Sequence, residues 1–185
     1  MELISNDKHS NVELIHDLDH PEDNLIDIAN IEASYSLSAK YFVRIHAKNY
    51  NPFSLKNTNT YKKIIELGHS IGLHFEPSFY ESKKHIYEAI AKESDMLAYC
   101  LDTSVNSVSI HEPSRFGAVQ EEVDIPSNLR YYCWNSSHYS GKKYISDSSA
   151  RWREGCMCQH IGKHSHIIIL THPIWWFDRT SAENY

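Results

Sequence analysis

Five short segments of the sequence carry aspartate or histidine side chains of the kind that bind metals or transfer protons. They are residues 16–20 (HDLDH), 74–76 (HFE), 111–113 (HEP), 146–147 (SD) and 171–173 (THP). Asp17 and Asp19 lie two residues apart, which places both carboxylates on one side of an extended chain. Such a pair repels when both groups are ionised, so it requires a cation or a shared proton. With imidazoles nearby, one carboxylate can bind a divalent metal while the other remains a base, which is hydrolytic chemistry.

Each of these segments follows a predicted β-strand. Short apolar runs predict strands at 12–15, 41–45, 71–75, 107–110, 129–133, 144–145 and 166–170. The amphipathic stretches between them predict three helices, one capped by Asp23 or Asn24, one from Thr60 to a stop at Gly68, and one opening at Ser82. This alternation is typical of an α/β fold with a largely parallel sheet, where ligands bind at the carboxyl ends of the strands. We therefore expect the five segments to share one site.

The composition is that of one ordinary globular domain spanning residues 1–185. Hydrophobic residues make up 41% and charged residues 23% of the chain, enough for one sizeable core. The net charge of −6 argues against nucleic acid as a partner. The N-terminal residues show no secretion signal, and the longest apolar run, 167–170, is too short to span a membrane. A cytoplasmic protein without a membrane span is expected.

Three segments resemble the motifs of the NodB-like superfamily of polysaccharide deacetylases, metal-dependent enzymes that remove acetyl groups from amino sugars. Residues 15–19 (IHDLD) resemble the aspartate motif of the family. Residues 67–74 (LGHSIGLH) are similar to its Gly-His-Glu-Ile-Gly-x-His segment, and residues 169–173 (ILTHP) resemble its closing Leu-x-His motif. The resemblance extends over nearly the whole chain and implies a distorted, incomplete (β/α) barrel.

The resemblance also implies a role for each motif residue. Asp17 is expected to be the catalytic base and His172 the general acid, while Asp19 and His74 bind a divalent metal, expected to be zinc. The implied substrate is an acylated sugar. Asp17 would deprotonate the water that attacks the amide carbonyl, and His172 would protonate the departing amine.

Two departures from the family pattern concern the ligands and the base. The second ligand histidine of the family lies four residues after the first, and that position is Ser78 here. We expect His111 to replace it, with Glu76 as the alternative. The arginine that orients the base in the family is replaced by Glu112, and Arg115 is the expected substitute.

Three further predictions concern the surroundings of the site. Asp147 is expected to orient His172, and it is grouped with Arg115 and Trp152 as residues facing the substrate. The indole of Trp152 would provide an apolar platform for a sugar ring. His16 and His20 flank the two aspartates closely enough to orient them.

A cysteine and histidine cluster offers a competing metal site. Cys156, Cys158, His160 and His164 lie within nine residues, as in some structural zinc sites. Because the two cysteines are closer together than is usual for zinc, free thiols are the favoured interpretation.

Two classes of function therefore remain. The first is a metal-dependent hydrolase that removes an N-acyl group, expected to be acetyl, from a sugar in polysaccharide or glycoconjugate biosynthesis. The nearest variant of this function is an enzyme that removes a different acyl group, or one that cleaves an ester instead of an amide. The second is a non-catalytic protein that binds a carbohydrate or a partner on the same barrel. Because 185 residues make a short barrel, an oligomer could supply the missing walls of the groove.

Overall fold

Seven parallel strands form one curled sheet. The computed structural model describes residues 10–20, 25–80, 83–113, 124–133 and 136–176. The strands are β1 (Asn11–Leu18), β2 (Ala39–Arg44), β3 (Ser70–Phe75), β4 (Ser107–Ile110), β5 (Arg130–Tyr132), β6 (Lys143–Ser146) and β7 (His166–Thr171). They pair in the order β5-β4-β3-β2-β1-β7-β6, and every pairing is parallel. Since β5 and β6 do not pair with each other, the sheet is an incomplete barrel, which confirms the predicted fold class.

Three α-helices follow the first three strands. They are α1 (Leu25–Ser34), α2 (Leu55–Glu66) and α3 (Lys83–Leu101). The residues predicted to cap α1 and α3, at positions 23–24 and 82, lie outside the described residues. None of the helices in the described part of the chain is both long and apolar enough to cross a bilayer.

The second helix begins earlier than predicted. Ser54 caps it, because its side-chain oxygen accepts a hydrogen bond from the backbone N–H of Asn57. Thr60, the predicted cap, lies inside the helix and donates its hydroxyl to the carbonyl of Lys56. A threonine hydroxyl can make either kind of bond, so the residue type alone did not distinguish the two positions. Gly68 follows the helix with a φ of 93°, a left-handed conformation that suits the predicted stop.

Alternate residues of each strand face the inside of the half-barrel. The inner core is formed by buried side chains from four strands and one turn: Ile15, Phe42, Tyr132, Tyr139, Ile168 and Leu170. The larger outer core packs the helices against the opposite face of the sheet, with Tyr41, Val43, Ile71 and Leu73 among its members. This period of two decides which polar side chains can reach the inside.

His16 illustrates the consequence of this alternation. Its ring lies on the outer face, where Nε2 is 2.7 Å from Glu32 and Nδ1 is 2.5 Å from Thr171. The prediction that His16 orients the aspartates is therefore wrong, because Asp17 faces the inside of the barrel. Tyr41 also donates to Glu32, at 2.6 Å. Burial acts to raise the pKa of Glu32, but the bonds from His16 and Tyr41 outweigh it and lower that pKa.

Polar side chains fill the barrel near the amino end of β1. Glu13 accepts a hydrogen bond from the hydroxyl of Tyr132, and its other oxygen lies 2.9 Å from Nε2 of His138. Lys142 approaches the same carboxylate at 3.5 Å. Burial acts to raise the pKa of Glu13, yet the bonds to Tyr132 and His138 leave it lowered. Tyr132 lies on β5, and His138 and Lys142 lie in the segment before β6. These contacts therefore link β1 to both sides of the gap between the edge strands β5 and β6.

The two cysteines of the competing cluster are joined to each other. Cys156 and Cys158 form a disulfide within one turn, with their Cα atoms 5.3 Å apart, whereas Cys100 and Cys133 take no part in a disulfide. The expectation of free thiols at 156 and 158 is therefore wrong, since the turn brings the Cα atoms within the usual disulfide range. Nε2 of His160 lies 3.0 Å from the carbonyl of Glu154, so it is engaged by the backbone.

Candidate metal centre and active site

A groove of about 880 Å³ lies at the carboxyl ends of the strands. The five residues with predicted metal or catalytic roles all line it: Asp17, Asp19, His74, His111 and His172. Strand ends from both sides of β1 thus supply one site, as the parallel arrangement predicts.

The strand register explains this convergence. His74 pairs with Ser109 across β3 and β4, and Ile15 pairs with Leu170 across β1 and β7. Asp17 lies two residues after Ile15, and His172 lies two residues after Leu170. Both therefore lie on the same inner face as Ile15 and Leu170.

Asp19, His74 and His111 form a compact set of metal-binding groups. One donor atom from each lies within 4.8 Å of the other two. Oδ1 of Asp19 is 3.2 Å from Nε2 of His74 and 3.1 Å from Nδ1 of His111, and the two nitrogens are 3.1 Å apart. Among the described residues, this carboxylate oxygen is buried without a hydrogen-bond partner of acceptable geometry. A buried oxygen facing two imidazole nitrogens fits a divalent cation.

The electrostatics of the cluster favour an ionised aspartate. Burial acts to raise the pKa of Asp19, but the close contacts and positive charges of His111 and His74 outweigh it and hold the pKa well below its usual value. Burial acts to lower the pKa of His74, but the nearby charges of Asp17 and Asp19 leave it raised. The carboxylates therefore attract positive charge to this point, whether it is carried by a proton or by a metal.

Ser109 connects the base to one of the ligands. Its hydroxyl donates to Oδ1 of Asp17 at 3.0 Å, and its oxygen lies 2.7 Å from Nδ1 of His74. Since the serine proton is given to Asp17, the serine oxygen accepts from Nδ1–H of His74. In the neutral form of the ring, which is the form that binds a metal, Nε2 of His74 is then left with a lone pair directed toward Asp19 and His111.

Sequence reasoning missed Ser109, although a signal for it was present. Ser109 and His111 are two residues apart at the end of β4, which is the same spacing that identified Asp17 and Asp19. Serine is common in many settings, so this spacing alone pointed to no particular chemistry.

His172 is held by a buried carboxylate. Nδ1 of His172 lies 2.7 Å from Oδ1 of Asp147, which also accepts the backbone N–H of His172 at 3.0 Å. The indole N–H of Trp176 donates to the other oxygen at 2.8 Å. Asp147 is only 2% exposed, so it contacts His172 and not a substrate in the groove.

This arrangement favours the protonated form of His172. Burial acts to lower its pKa, but the hydrogen bond to Asp147 and the charges of Asp17 and Asp19 outweigh it and raise the pKa to about 9. A histidine that holds its proton at neutral pH can donate it to a leaving group.

Glu76, the alternative third ligand, is engaged elsewhere. Its carboxylate forms an ion pair with Arg44 and accepts a hydrogen bond from the hydroxyl of Ser78. Burial acts to raise the pKa of Glu76, but Ser78 and Arg44 leave it lowered. Its nearest approach to His111 is 3.7 Å, at the ring nitrogen that faces away from Asp19. The geometry groups His111, and not Glu76, with the other two ligands.

One predicted substrate-facing residue, Trp152, does not line the groove, and another falls on a part of the chain that is not described. Arg115 lies outside the described residues. Trp152 packs against an outer cluster of Ile145, Ile167 and Ile169, because burying its large indole there removes apolar surface from water. Its assignment to the substrate is therefore corrected. Among the described residues, Trp175 lines the groove and Trp152 does not.

No protein-family model and no curated protein matches the sequence. Among solved structures, the chain is similar to the catalytic domain of the peptidoglycan N-acetylglucosamine deacetylase from Eubacterium rectale ATCC 33656. The identity is 14% and the TM-score 0.61, over 92% of this chain and 79% of that one. It is also similar to the peptidoglycan deacetylase PdaC from Bacillus subtilis, with 14% identity and a TM-score of 0.58, over 93% and 78% of the two chains.

A third similar structure is BA3943 from Bacillus anthracis, which is described as a CE4 family pseudoenzyme. The identity is 15% and the TM-score 0.56, over 94% of this chain and 56% of BA3943. The chain thus spans little more than half the length of that relative. A mutant of BA3943 is described as having restored enzymatic activity. At these identities the likeness concerns the fold, and the chain has the incomplete-barrel fold of the NodB-like, CE4 polysaccharide deacetylases.

Proposed function

We propose that the protein is a metal-dependent hydrolase that removes an N-acyl group, most simply acetyl, from a sugar. The observation that carries this proposal is one groove that contains the Asp19, His74 and His111 cluster, the separate carboxylate of Asp17, and the Asp147–His172 pair. These are a ligand set, a base and an acid, the three components that metal-assisted amide hydrolysis requires.

Asp19, His74 and His111 would hold the metal, and we propose zinc because imidazole and carboxylate ligands suit it. When bound, a divalent ion supplies positive charge that makes a nearby water more acidic and a carbonyl carbon more electrophilic. Three protein ligands leave room for further ligands at such a site, as is usual in catalytic zinc centres. The hydrogen bond to Ser109 keeps the His74 ring oriented for this purpose.

The remaining steps belong to side chains of this chain. Asp17 accepts a proton from the attacking water as the new carbon–oxygen bond forms. His172 donates its proton to the amide nitrogen as the carbon–nitrogen bond breaks, so that a free amine and a carboxylic acid result. Asp147 keeps His172 protonated beforehand and stabilises its orientation. Ser109 holds Asp17 by the same hydroxyl that meets His74, and it thereby supports the base in a chain where Glu112 replaces the family arginine.

The choice of an N-acetylated sugar is supported by the similar structures. Two of them are peptidoglycan deacetylases, and one is named for N-acetylglucosamine. The groove is wide enough for a sugar, and Tyr139, Tyr144 and Trp175 provide apolar surface along its walls.

The second candidate is a non-catalytic protein that binds a carbohydrate in the same groove. The resemblance to BA3943, a pseudoenzyme with this fold, favours it. So does Glu112, which stands where the family has an arginine.

Metal content and acetate release together test the proposal. The purified protein should contain about one zinc per chain and release acetate from β-1,4-linked N-acetylglucosamine oligomers. Asp19→Ala should lose both the metal and the activity. Metal without any acetate release from these oligomers or from other acylated sugars would favour the binding protein. Absence of both metal and activity in the parent protein would reject the hydrolase proposal.

A further inference from the structure

The loop between β6 and β7 forms one wall of the groove. Its first half contributes five residues that line the groove: Ser148, Ser149, Ala150, Arg153 and Glu154. The loop begins at Asp147, which holds His172, and its second half contains the disulfide between Cys156 and Cys158. The disulfide therefore follows directly after the residues that form this wall.

The backbone of the wall adopts an unfavourable conformation. Ser149 and Ala150 have φ angles of 60° and 56°, in the left-handed region that residues other than glycine rarely adopt. Such a conformation persists only where the surrounding contacts enforce it. The shape of this wall therefore depends on restraints elsewhere in the loop.

The turn that carries the disulfide is bonded back to the wall. The backbone N–H of Gln159 donates to the carbonyl of Cys156 at 3.0 Å, which closes the turn. The next residue, His160, has its Nε2 atom 3.0 Å from the carbonyl oxygen of Glu154, which lines the groove. A change in the turn can therefore reach the groove through this contact.

The disulfide is poorly placed to stabilise the fold. It closes a loop of residues 156–158 only, whereas the entropy that a crosslink removes from the unfolded chain grows with the length of the loop. Both cysteines are exposed, so a dissolved thiol can reach them. Exposed disulfides are typically the labile, regulatory or catalytic ones. The pair therefore fits a reversible redox site better than a structural crosslink.

The two sulfur atoms differ in their surroundings. Sγ of Cys156 accepts a hydrogen bond from the backbone N–H of Cys158, at 3.3 Å. A hydrogen bond to a thiolate stabilises its negative charge, so Cys156 is the better leaving group in an exchange reaction. An incoming thiolate is therefore expected to attack Sγ of Cys158.

We propose that Cys156 and Cys158 form a reversible redox site that exchanges with thiols such as glutathione, and that reduction of this site loosens the wall of the groove. The external thiolate bonds to Sγ of Cys158, and the bond between the two cysteines breaks as Cys156 leaves as a thiolate. A second external thiolate attacks the glutathione sulfur of this mixed disulfide and releases Cys158. The two external thiols are thereby oxidised to one disulfide, and the protein gains two electrons and two protons.

Equilibration with glutathione tests the exchange. The protein would be held in about 5 mM reduced and about 0.05 mM oxidised glutathione, then denatured in acid, alkylated and analysed by mass spectrometry. Most of the peptide that contains Cys156 and Cys158 should carry two alkyl groups, whereas without glutathione it should carry none. Cys100, which takes no part in a disulfide, is the internal reference and should be alkylated equally in both samples.

Two results would overturn the redox site. One is a disulfide that persists in the glutathione buffer but that dithiothreitol reduces after the protein is unfolded in urea. The other is alkylation of both Cys156 and Cys158 in air-equilibrated protein to which no glutathione was added.

Single variants test the order of attack. Cys158→Ser leaves the thiol of Cys156 with its backbone hydrogen-bond donor, and Cys156→Ser leaves the thiol of Cys158 without a sulfur partner. At neutral pH the thiol in Cys158→Ser should react with an aromatic disulfide reagent faster than the thiol in Cys156→Ser, by roughly threefold or more. Equal or reversed rates would contradict attack at Cys158.

Hydrogen exchange tests the connection to the groove. Reduction should speed amide exchange by about threefold or more in peptides covering residues 148–160, while peptides from β1 and β3 should not change. Because thiols also bind zinc, the double variant Cys156→Ser, Cys158→Ser receives the same reductant as a control. Its loop should exchange fast with or without reductant. Equal exchange in the oxidised and reduced parent protein would overturn the connection. This readout needs no turnover, so failure of the proposed hydrolase would be seen separately.

Discussion

The Ser109 hydroxyl donates to Asp17 at 3.0 Å while its oxygen meets the Nδ1 side of His74 at 2.7 Å. Ser109→Ala should therefore affect the metal site and the base together. We expect metal affinity to fall about 10- to 100-fold, as is typical when a residue that orients a metal ligand is removed. Titration with zinc in the presence of a competing chelator measures this affinity without reference to activity.

Ser107→Ala provides the control for this substitution. Ser107 lies on the same inner face of β4, two residues earlier, and its buried hydroxyl has no hydrogen-bond partner among the described residues. Its replacement should leave zinc affinity unchanged. Equal zinc affinity in Ser109→Ala and in the parent protein would show that the serine does not orient His74.

Asp17→Asn should separate catalysis from metal binding. Asp17 is not in the ligand cluster, so the variant should retain its metal, while loss of the base should lower kcat by about 10²- to 10⁴-fold. Metal analysis and acetate release on the same preparation provide both readouts. If the variant loses its metal, then the roles assigned to Asp17 and Asp19 are reversed.

His111→Ala and Glu76→Ala should differ in their effect on the metal. Removal of His111 takes away a donor atom within the cluster, so zinc affinity should fall by more than the 10- to 100-fold expected for an orienting residue. Glu76 is paired with Arg44, and its loss should have the smaller effect. The same chelator competition measures both. A larger loss of zinc affinity in Glu76→Ala than in His111→Ala would indicate that Glu76 is the third ligand.

The activity should depend on pH through His172. Its pKa is raised to about 9, because the bond to Asp147 and the charges of Asp17 and Asp19 outweigh burial. Because the reaction needs the protonated His172 ring, activity should be at its full value below this pKa and should decline as pH rises through it. Asp147→Asn removes a negative partner, so the decline should move to lower pH, by roughly 1–3 pH units. The pH profile of kcat/KM for a monosaccharide or oligosaccharide substrate measures this shift.

Trp176→Phe is the control for Asp147→Asn. It removes the indole N–H that reaches Asp147 but leaves the bond between Asp147 and His172. In Trp176→Phe, kcat/KM should decline at alkaline pH over nearly the same range as in the parent protein. An alkaline limb that does not move in Asp147→Asn would reject His172 as the acid.

Gly72→Ala should destabilise the fold. A Cβ atom at this position in β3 would lie 2.5 Å from the ring of Phe42 and 2.7 Å from the Ser107 oxygen, closer than atoms can pack. Overpacking of this kind costs about 1–3 kcal/mol, which urea unfolding can measure. Phe42→Leu in the same chain should relieve part of the clash, so the two losses of stability should not add. Full additivity would indicate that Phe42 is not the obstacle.

The sequence alone determined most of the strands and the end of the sheet at which the chemistry lies. The β4 bounds, 107–110, were predicted as observed, and the other strands shifted by a few residues at most, because apolar runs of this length have few other uses in an α/β domain. The resemblance of the three motifs added the roles of Asp17, Asp19, His74 and His172. The structure brings these four side chains into one groove.

Only the tertiary structure decided which side chains meet. His16 faces the outer layer, Trp152 packs on an isoleucine cluster, and Glu76 pairs with Arg44, although each lies next to a motif in the sequence or was expected at the site. Ser109 joins Asp17 to His74 across 92 and 35 residues of chain. Local periodicity predicts which face of a strand a residue occupies. Which partner it finds there depends on the register between strands that are distant in sequence, and no single segment carries that information.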